Sequence, residues 1–149
     1  MKPIGKIFDR SWRLTSRIER VNQREVDTMI KTHYLGKWPR EVVLTLGLIR
    51  KSRTLGVVTF SVAHPSVAAP YLGEVWELSR LWIDDSVPKN AETFAIGRSI
   101  RYVRANHSNV KTLVSFADPE AGHNGTIYTA SNWTLVQHES KHLFIYELQ

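Results

Sequence analysis

The sequence contains no cysteine, which excludes disulfide bonds, thiolate metal sites and cysteine nucleophiles. It also lacks an apolar run approaching the roughly 20 residues that a transmembrane helix needs. Its first residues, Met1 to Lys6, do not form the apolar core of a secretory signal. The 149 residues contain no repeat or linker, and 42% of them are hydrophobic and 23% charged. This composition predicts one soluble domain spanning residues 1–149, without a membrane partner and located in the cytoplasm.

Positive charge is concentrated in the first third of the chain. Residues 1–53 hold 13 Lys and Arg against 5 Asp and Glu, a net of +8, whereas residues 54–149 hold 7 against 9, a net of −2. A concentrated positive field attracts polyanions, and nucleic acid is the usual one. The alternative is a solvated basic face that binds no ligand.

Hydrophobic periodicity and turn residues predict ten elements. The predicted strands cover residues 7–20, 42–49, 55–63, 74–83, 111–117, 133–137 and 142–148. The predicted helices cover roughly residues 23–34, 91–106 and 124–131, with Asn22 and Asn90 as N-caps of the first two and a left-handed Asn132 closing the third. Residues 64–70 are predicted to form a loop. The order indicates an α+β protein with a mixed, mostly antiparallel central sheet flanked by helices.

The strand predicted at residues 74–83 alternates apolar and polar side chains. Regular alternation places Glu77 on one face and Arg80 on the other, unless a bulge intervenes. An arginine in the middle of a strand needs a partner when it is buried. Arg80 is therefore predicted either to form an ion pair with Asp118 or Glu77, or to position a carboxylate or phosphate of a ligand.

The segment after the strand at 111–117 carries the residues best suited to proton transfer. Asp118 follows this strand directly, and Tyr128 lies in the next short helix. A carboxylate and a phenol in this arrangement can point into one cleft. The alternatives are an N-cap role for Asp118 and core packing for Tyr128.

Five short motifs along the chain resemble the Mom family of phage DNA-modification proteins, in the order found in that family. They are His33-Tyr34-Leu35-Gly36 with Trp38-Pro39; Glu77-Leu78-Ser79-Arg80-Leu81; Pro88-Lys89-Asn90-Ala91-Glu92; Ser115-Phe116-Ala117-Asp118; and Gly122 to Trp133. The resemblance implies a fold like that of the Gcn5-related N-acetyltransferases, in which the fourth and fifth strands splay apart around the reacting groups. It also implies an activity, the conversion of the exocyclic amine of adenine in duplex DNA to a carbamoylmethyl derivative, which protects phage DNA from restriction in the host cell.

The resemblance assigns roles to specific residues. It implies a catalytic set, namely Asp118, Tyr128, His33, Tyr34 and Arg80. It further implies a bound iron, for which His33, Tyr34 and Asp118 would supply nitrogen and oxygen ligands. An alternative for His33 is a favourable contact with the end of a helix.

The loop that binds coenzyme A in ordinary acetyltransferases is replaced here by residues 85–91. Pro88 has no N–H to donate, and Asp85 repels phosphate, so this loop argues against acetyl-coenzyme A as the donor. Ser115, Lys89 and Asn90 are predicted to bind another small-molecule donor.

Two other functions are compatible with these residues. One is a coenzyme-A-dependent N-acetyltransferase acting on a small amine or a protein. The other is a non-enzymatic DNA-binding module.

Overall fold

A computed structural model describes residues 15–22, 24, 26, 39–88, 90–117, 125–138 and 141–148. Its seven strands are β1 (Ser16–Arg20), β2 (Val42–Arg50), β3 (Arg53–Val62), β4 (Glu74–Ile83), β5 (Val110–Ala117), β6 (Thr134–His138) and β7 (Lys141–Glu147). The helices that lie wholly within these ranges are α1 (Pro65–Ala68), α2 (Ala91–Asn106) and α3 (Thr126–Ala130). None of the helices in these ranges is long and apolar enough to cross a bilayer.

The strands form one sheet in the order β1-β2-β3-β4-β5-β7-β6. Every neighbouring pair is antiparallel except β4 and β5, which run parallel. The predicted mixed, mostly antiparallel sheet is therefore confirmed. The last strand, β7, lies between β5 and β6, so it joins the end of the sheet to its centre.

Helix α2 covers one face of this sheet. Its buried stripe contains Ile96, Ile100 and Val103, which pack in the main core against Phe60 and Leu113. The arginines predicted for its outer face, Arg98, Arg101 and Arg104, are exposed. Both the bounds and the amphipathic pattern predicted for this helix are confirmed, because a 3.6-residue period leaves little ambiguity over 16 residues.

The start of α2 differs from its prediction. Asn90 occupies the N-cap position, but its backbone is left-handed (φ 77°) and its side chain makes no capping hydrogen bond. Asn22, by contrast, accepts the backbone N–H of Arg24 at 2.8 Å, as expected of an N-cap. The helix predicted at 23–34 is otherwise outside the described residues, apart from the helical Arg24 and Val26.

The strand predicted at 7–20 is confirmed for Ser16–Arg20, which form β1, and not for Thr15, while residues 7–14 lie outside the described part of the chain. The prediction for residues 64–70 is corrected. The loop predicted at 64–70 contains α1, whose first turn is capped by His64 Nδ1 accepting the Ser66 N–H at 3.1 Å. This four-residue helix, which begins with a histidine cap followed by proline, is too short to show the hydrophobic periodicity by which a helix is predicted from sequence.

Candidate active site

The parallel strands β4 and β5 part near their middle. Their residue pairing ends at Glu77 and Val114, although β4 continues to Ile83 and β5 to Ala117. One residue past the last pair, the buried Ser115 hydroxyl donates to the Leu78 carbonyl oxygen at 3.1 Å. A side chain therefore holds the strands together where backbone hydrogen bonding stops, and a gap opens beyond it.

Tyr128 reaches this gap from α3. It is only 8% exposed and packs against the rings of Trp133 and Phe144, at centroid distances of 5.1 and 5.3 Å. Burial raises the pKa of the phenol; the Ser115 side chain opposes this rise, and the negative charge of Glu77 adds to it. Tyr128 is thus held protonated and able to donate a proton at neutral pH.

Backbone geometry explains why α3 places Tyr128 so tightly. The helix is preceded by Gly125, whose φ is +77°, and is followed by Asn132 at φ +68°. A left-handed Asn132 was predicted, and this is confirmed. The two left-handed residues allow sharp turns on both sides of this five-residue helix. These turns therefore fix the position of the Tyr128 ring, although the helix is short.

Arg80 and Glu77 lie on the same face of β4, contrary to the simple alternation. Thr59 of β3 pairs with Arg80, and the next residue, Phe60, pairs with Leu78. Ser79 has no pairing partner and is the extra residue of a β-bulge. Accordingly, Leu81 packs in the α2-side core whereas Trp82 packs on the opposite face with Val57. The expectation from regular alternation, that Glu77 and Arg80 lie on opposite faces, is therefore wrong, because the bulge that was named as its exception is present and inverts the alternation after Ser79.

Glu77, predicted only as a possible partner of Arg80, is a further functional candidate. Its carboxyl group is half-buried beside the gap. Burial raises its pKa, and the positive charges of Arg80 and Lys141 partly offset that rise. Within the residues that the structure describes, no hydrogen bond or ion pair reaches this carboxylate. Glu77 is recognised as a candidate because the bulge at Ser79 places it on the same face as Arg80. No sequence pattern predicts this bulge.

The turn before α2 is organised around a carboxylate. Asp84 forms an ion pair with Arg53 at 3.1 Å and accepts hydrogen bonds from the backbone N–H and the hydroxyl of Ser86. The Pro88 carbonyl oxygen accepts the Ala91 N–H at 3.3 Å. Acidic side chains and a proline make this turn a poor cradle for a pyrophosphate. Asn90 lies exposed at its end, and Lys89 is outside the described residues.

Three predicted catalytic residues, His33, Tyr34 and Asp118, lie outside the described residues. Among the described ones, the Tyr128 phenol interacts with the Ser115 side chain and with the charge of Glu77. Arg80 interacts with Glu77 on the face of the sheet opposite the α2-side core. Among the residues that are described, no group of three or more His, Asp or Glu side chains could hold a metal ion. The iron and its three ligands remain predictions.

Comparison with known proteins identifies the family. The sequence profile of the Mom protein family matches residues 15–149. The chain belongs to the Mom family. It is 31% identical over 132 residues to the methylcarbamoylase Mom of Escherichia phage Mu, an alignment that covers 83% of the chain and 55% of that protein. The chain thus spans about half the length of this Mom relative.

The fold of this Mom family member is that of the acetyltransferases. NAA60 of Arabidopsis thaliana, solved with acetyl-CoA, superposes with a TM-score of 0.66 at 12% identity, over 89% of this chain and 98% of that one. The KacTA–DNA complex gives 0.61 at 17% identity, over 89% and 92%. An acetyltransferase from Thermus thermophilus gives 0.59 at 12% identity, over 90% and 97%. The predicted family and fold class are both confirmed.

Proposed function

We propose that this protein is a transferase that converts the exocyclic amine of adenine in phage DNA to a carbamoylmethyl derivative, which protects the DNA from restriction in the host cell. The observation that supports it most is membership of the Mom family over residues 15–149. It is combined with the parting of β4 and β5, which has the Tyr128 phenol on the α2 side of the sheet and the Glu77 carboxyl group and Arg80 guanidinium on the other side. These groups can handle protons and hold a polar ligand.

The chemistry requires help at the nitrogen. The lone pair of the adenine amine is delocalised into the ring, so this amine is a weak nucleophile. As the new N–C bond forms and the bond from that carbon to the donor's leaving group breaks, the amine must lose a proton. Asp118, the residue after the end of β5, is proposed to accept it, and Tyr128 to protonate the leaving group.

The target base must leave the duplex to reach these groups, since a stacked base cannot enter a gap between strands. The basic first third is proposed to hold the phosphate backbone while this happens. Its described members Arg17, Arg20, Arg24 and Arg40 are exposed, although Arg17 shares its charge with Glu19 at 2.9 Å. Affinity for DNA should therefore fall steeply with salt.

The donor is proposed to be a small molecule other than acetyl-coenzyme A, because Asp84, Asp85 and Pro88 occupy the turn where a pyrophosphate would need free backbone amides. Ser115 and Asn90 are proposed to contact it, together with Lys89. Iron, held by His33, Tyr34 and Asp118, would supply Lewis-acid or redox chemistry if it binds.

Mass spectrometry of nucleosides from cells that express the protein tests the proposal directly. We expect a carbamoylmethyl-type adenine with the native protein, its loss with Asp118→Ala, and its retention with the exposed control Glu147→Ala. Unchanged modification by the Asp118→Ala protein would refute the assigned role, and unmodified adenine throughout would leave a DNA-binding module. Tight calorimetric binding of acetyl-coenzyme A without DNA would favour an ordinary N-acetyltransferase.

A further inference from the structure

Three hydroxyl groups fix the bulge at Ser79. The Ser79 hydroxyl lies 2.9 Å from that of Thr59 and 2.7 Å from that of Ser61, and also reaches the Thr59 carbonyl oxygen at 3.3 Å. Thr59 and Ser61 are buried in β3. A bulged residue held by hydrogen bonds to two buried side chains cannot easily slip into regular register, so the inverted alternation after Ser79 is a fixed property of β4.

The bulge places an anion and a cation side by side at the gap. Because Ser79 is the extra residue, Glu77 and Arg80 are spaced like next-but-one neighbours in a regular strand, roughly 7 Å apart. One guanidinium N–H donates to the Ser79 carbonyl oxygen at 2.7 Å, which orients Arg80. The two charges interact electrostatically, yet the described residues provide no hydrogen bond or ion pair to Glu77. The carboxylate is therefore near enough to be affected by the charge of Arg80 without forming an ion pair with it.

This pair has the hydrogen-bonding pattern that an amino-bearing base requires. Adenine presents an N–H₂ donor next to a ring-nitrogen acceptor, on both its Watson–Crick edge and its N7 edge. A carboxylate accepts from the amine, and a guanidinium donates to the ring nitrogen. Guanine and thymine place a carbonyl oxygen where the amine would be, and that oxygen would repel the carboxylate. Cytosine shares the amine-beside-nitrogen pattern, so the pair separates amino bases from keto bases.

We propose that Glu77 and Arg80 form the base-selection site, in which Glu77 accepts an N–H of the exocyclic amine and Arg80 donates to the neighbouring ring nitrogen of the extruded adenine. This inference rests on the proposed function and deepens it. It gives the carboxylate of Glu77, the β4 residue of the last β4–β5 pair, a role in choosing the substrate.

Duplexes with a single altered base test this site. One adenine, placed opposite an abasic site so that it unpairs readily, is replaced by hypoxanthine, which carries a carbonyl oxygen instead of the amine. Fluorescence anisotropy then measures the dissociation constant for each duplex. With the native protein we expect hypoxanthine to weaken binding by about ten- to a hundredfold.

The variants decide whether Glu77 reads the amine. With Glu77→Ala the hypoxanthine penalty should fall, and should vanish if Arg80 contacts N7, because the N1 of hypoxanthine carries a hydrogen whereas its N7 remains an acceptor. With Glu77→Gln, which keeps a carbonyl acceptor of the same shape, more of the penalty should persist. Glu74→Ala, on the same strand but exposed, serves as the matched control and should retain the native penalty. Replacing adenine by 7-deazaadenine or 1-deazaadenine shows which ring nitrogen Arg80 contacts. The analogue that lacks the contacted nitrogen should bind the native protein more weakly than adenine does, and this difference in affinity should disappear in Arg80→Ala.

Failure of this inference is separable from failure of the proposed function. If the native protein modifies adenine in cells but binds both duplexes equally, or if Glu77→Ala keeps the full penalty, base selection by Glu77 is wrong and the transferase stands. If the native protein modifies no adenine, the transferase proposal fails first, and base selection fails with it.

Discussion

Adding one methyl group at Gly125 should lower the stability of the fold substantially. A Cβ at this residue would overlap the ring of Phe144, and the backbone is left-handed at φ +77°. Phe144 is 1% exposed and packs on Tyr128, so a shift of its ring would disturb a closely packed core. Gly125→Ala should therefore destabilise the fold and shift α3, which carries Tyr128.

The expected cost has two parts. A left-handed alanine costs about 1–2 kcal/mol relative to glycine, and a methyl group forced into a packed core costs about 1–3 kcal/mol more. The sum is about 2–5 kcal/mol, and for a domain of this size each kcal/mol lowers Tm by about 2–4 °C. The melting temperature should consequently fall by about 4–20 °C.

Gly97→Ala is the matched control. Gly97 lies within α2, and a Cβ there would have no atom within 4 Å. Alanine should stabilise the helix by about 0.5–1 kcal/mol, so the two glycine-to-alanine changes should move Tm in opposite directions. Differential scanning calorimetry of both variants measures this. A Gly125→Ala protein as stable as the native one would refute the reasoning about Phe144.

Three further predictions concern the gap. Burial raises the pKa of Glu77, so the folded state binds the proton of this carboxyl group more tightly than the unfolded state does. The stability that this proton contributes is complete below the unfolded-state pKa and is lost as pH rises through the folded-state pKa. Glu77→Gln should therefore gain stability over the native protein from mildly acidic to neutral pH, as measured by urea unfolding. Tyr128→Phe should lower modification by about 10²- to 10⁴-fold in a nucleoside assay while unfolding free energy changes by about 1 kcal/mol; full activity would leave only ring stacking as its role. Ser79→Ala should cost about 1–3 kcal/mol in urea unfolding, because the hydroxyls of Thr59 and Ser61 lose their shared partner, and no loss would show that the bulge is held by other contacts.

Long periodic segments of this chain could be predicted from sequence. The bounds of β4 and α2 agree with the prediction, and the final antiparallel pair agrees within about a residue. In each case several side chains report the same period, so a single irregular residue does not change the result. The positions of Tyr128 and Ser115 at a strand gap followed from the family resemblance, which supplied the topology.

What sequence could not provide is set by single residues and by long-range pairing. The bulge at Ser79 depends on hydroxyls that come from β3, 18 and 20 residues away, and it decides on which face Arg80 lies. The insertion of β7 between β5 and β6 depends on which strand edges remain open in the folded sheet. Neither is a local property, so neither leaves a period in the chain.

The placement of β7 has a consequence for how the protein is made. Strand β5 emerges from the ribosome well before β7, which must enter between β5 and β6 and which carries the Phe144 ring that supports Tyr128. A nascent chain that stops short of residues 141–147 therefore contains Tyr128 but lacks the Phe144 ring that packs against it. The surroundings of Tyr128 are therefore complete only after residues 141–147 have been translated and have entered the sheet.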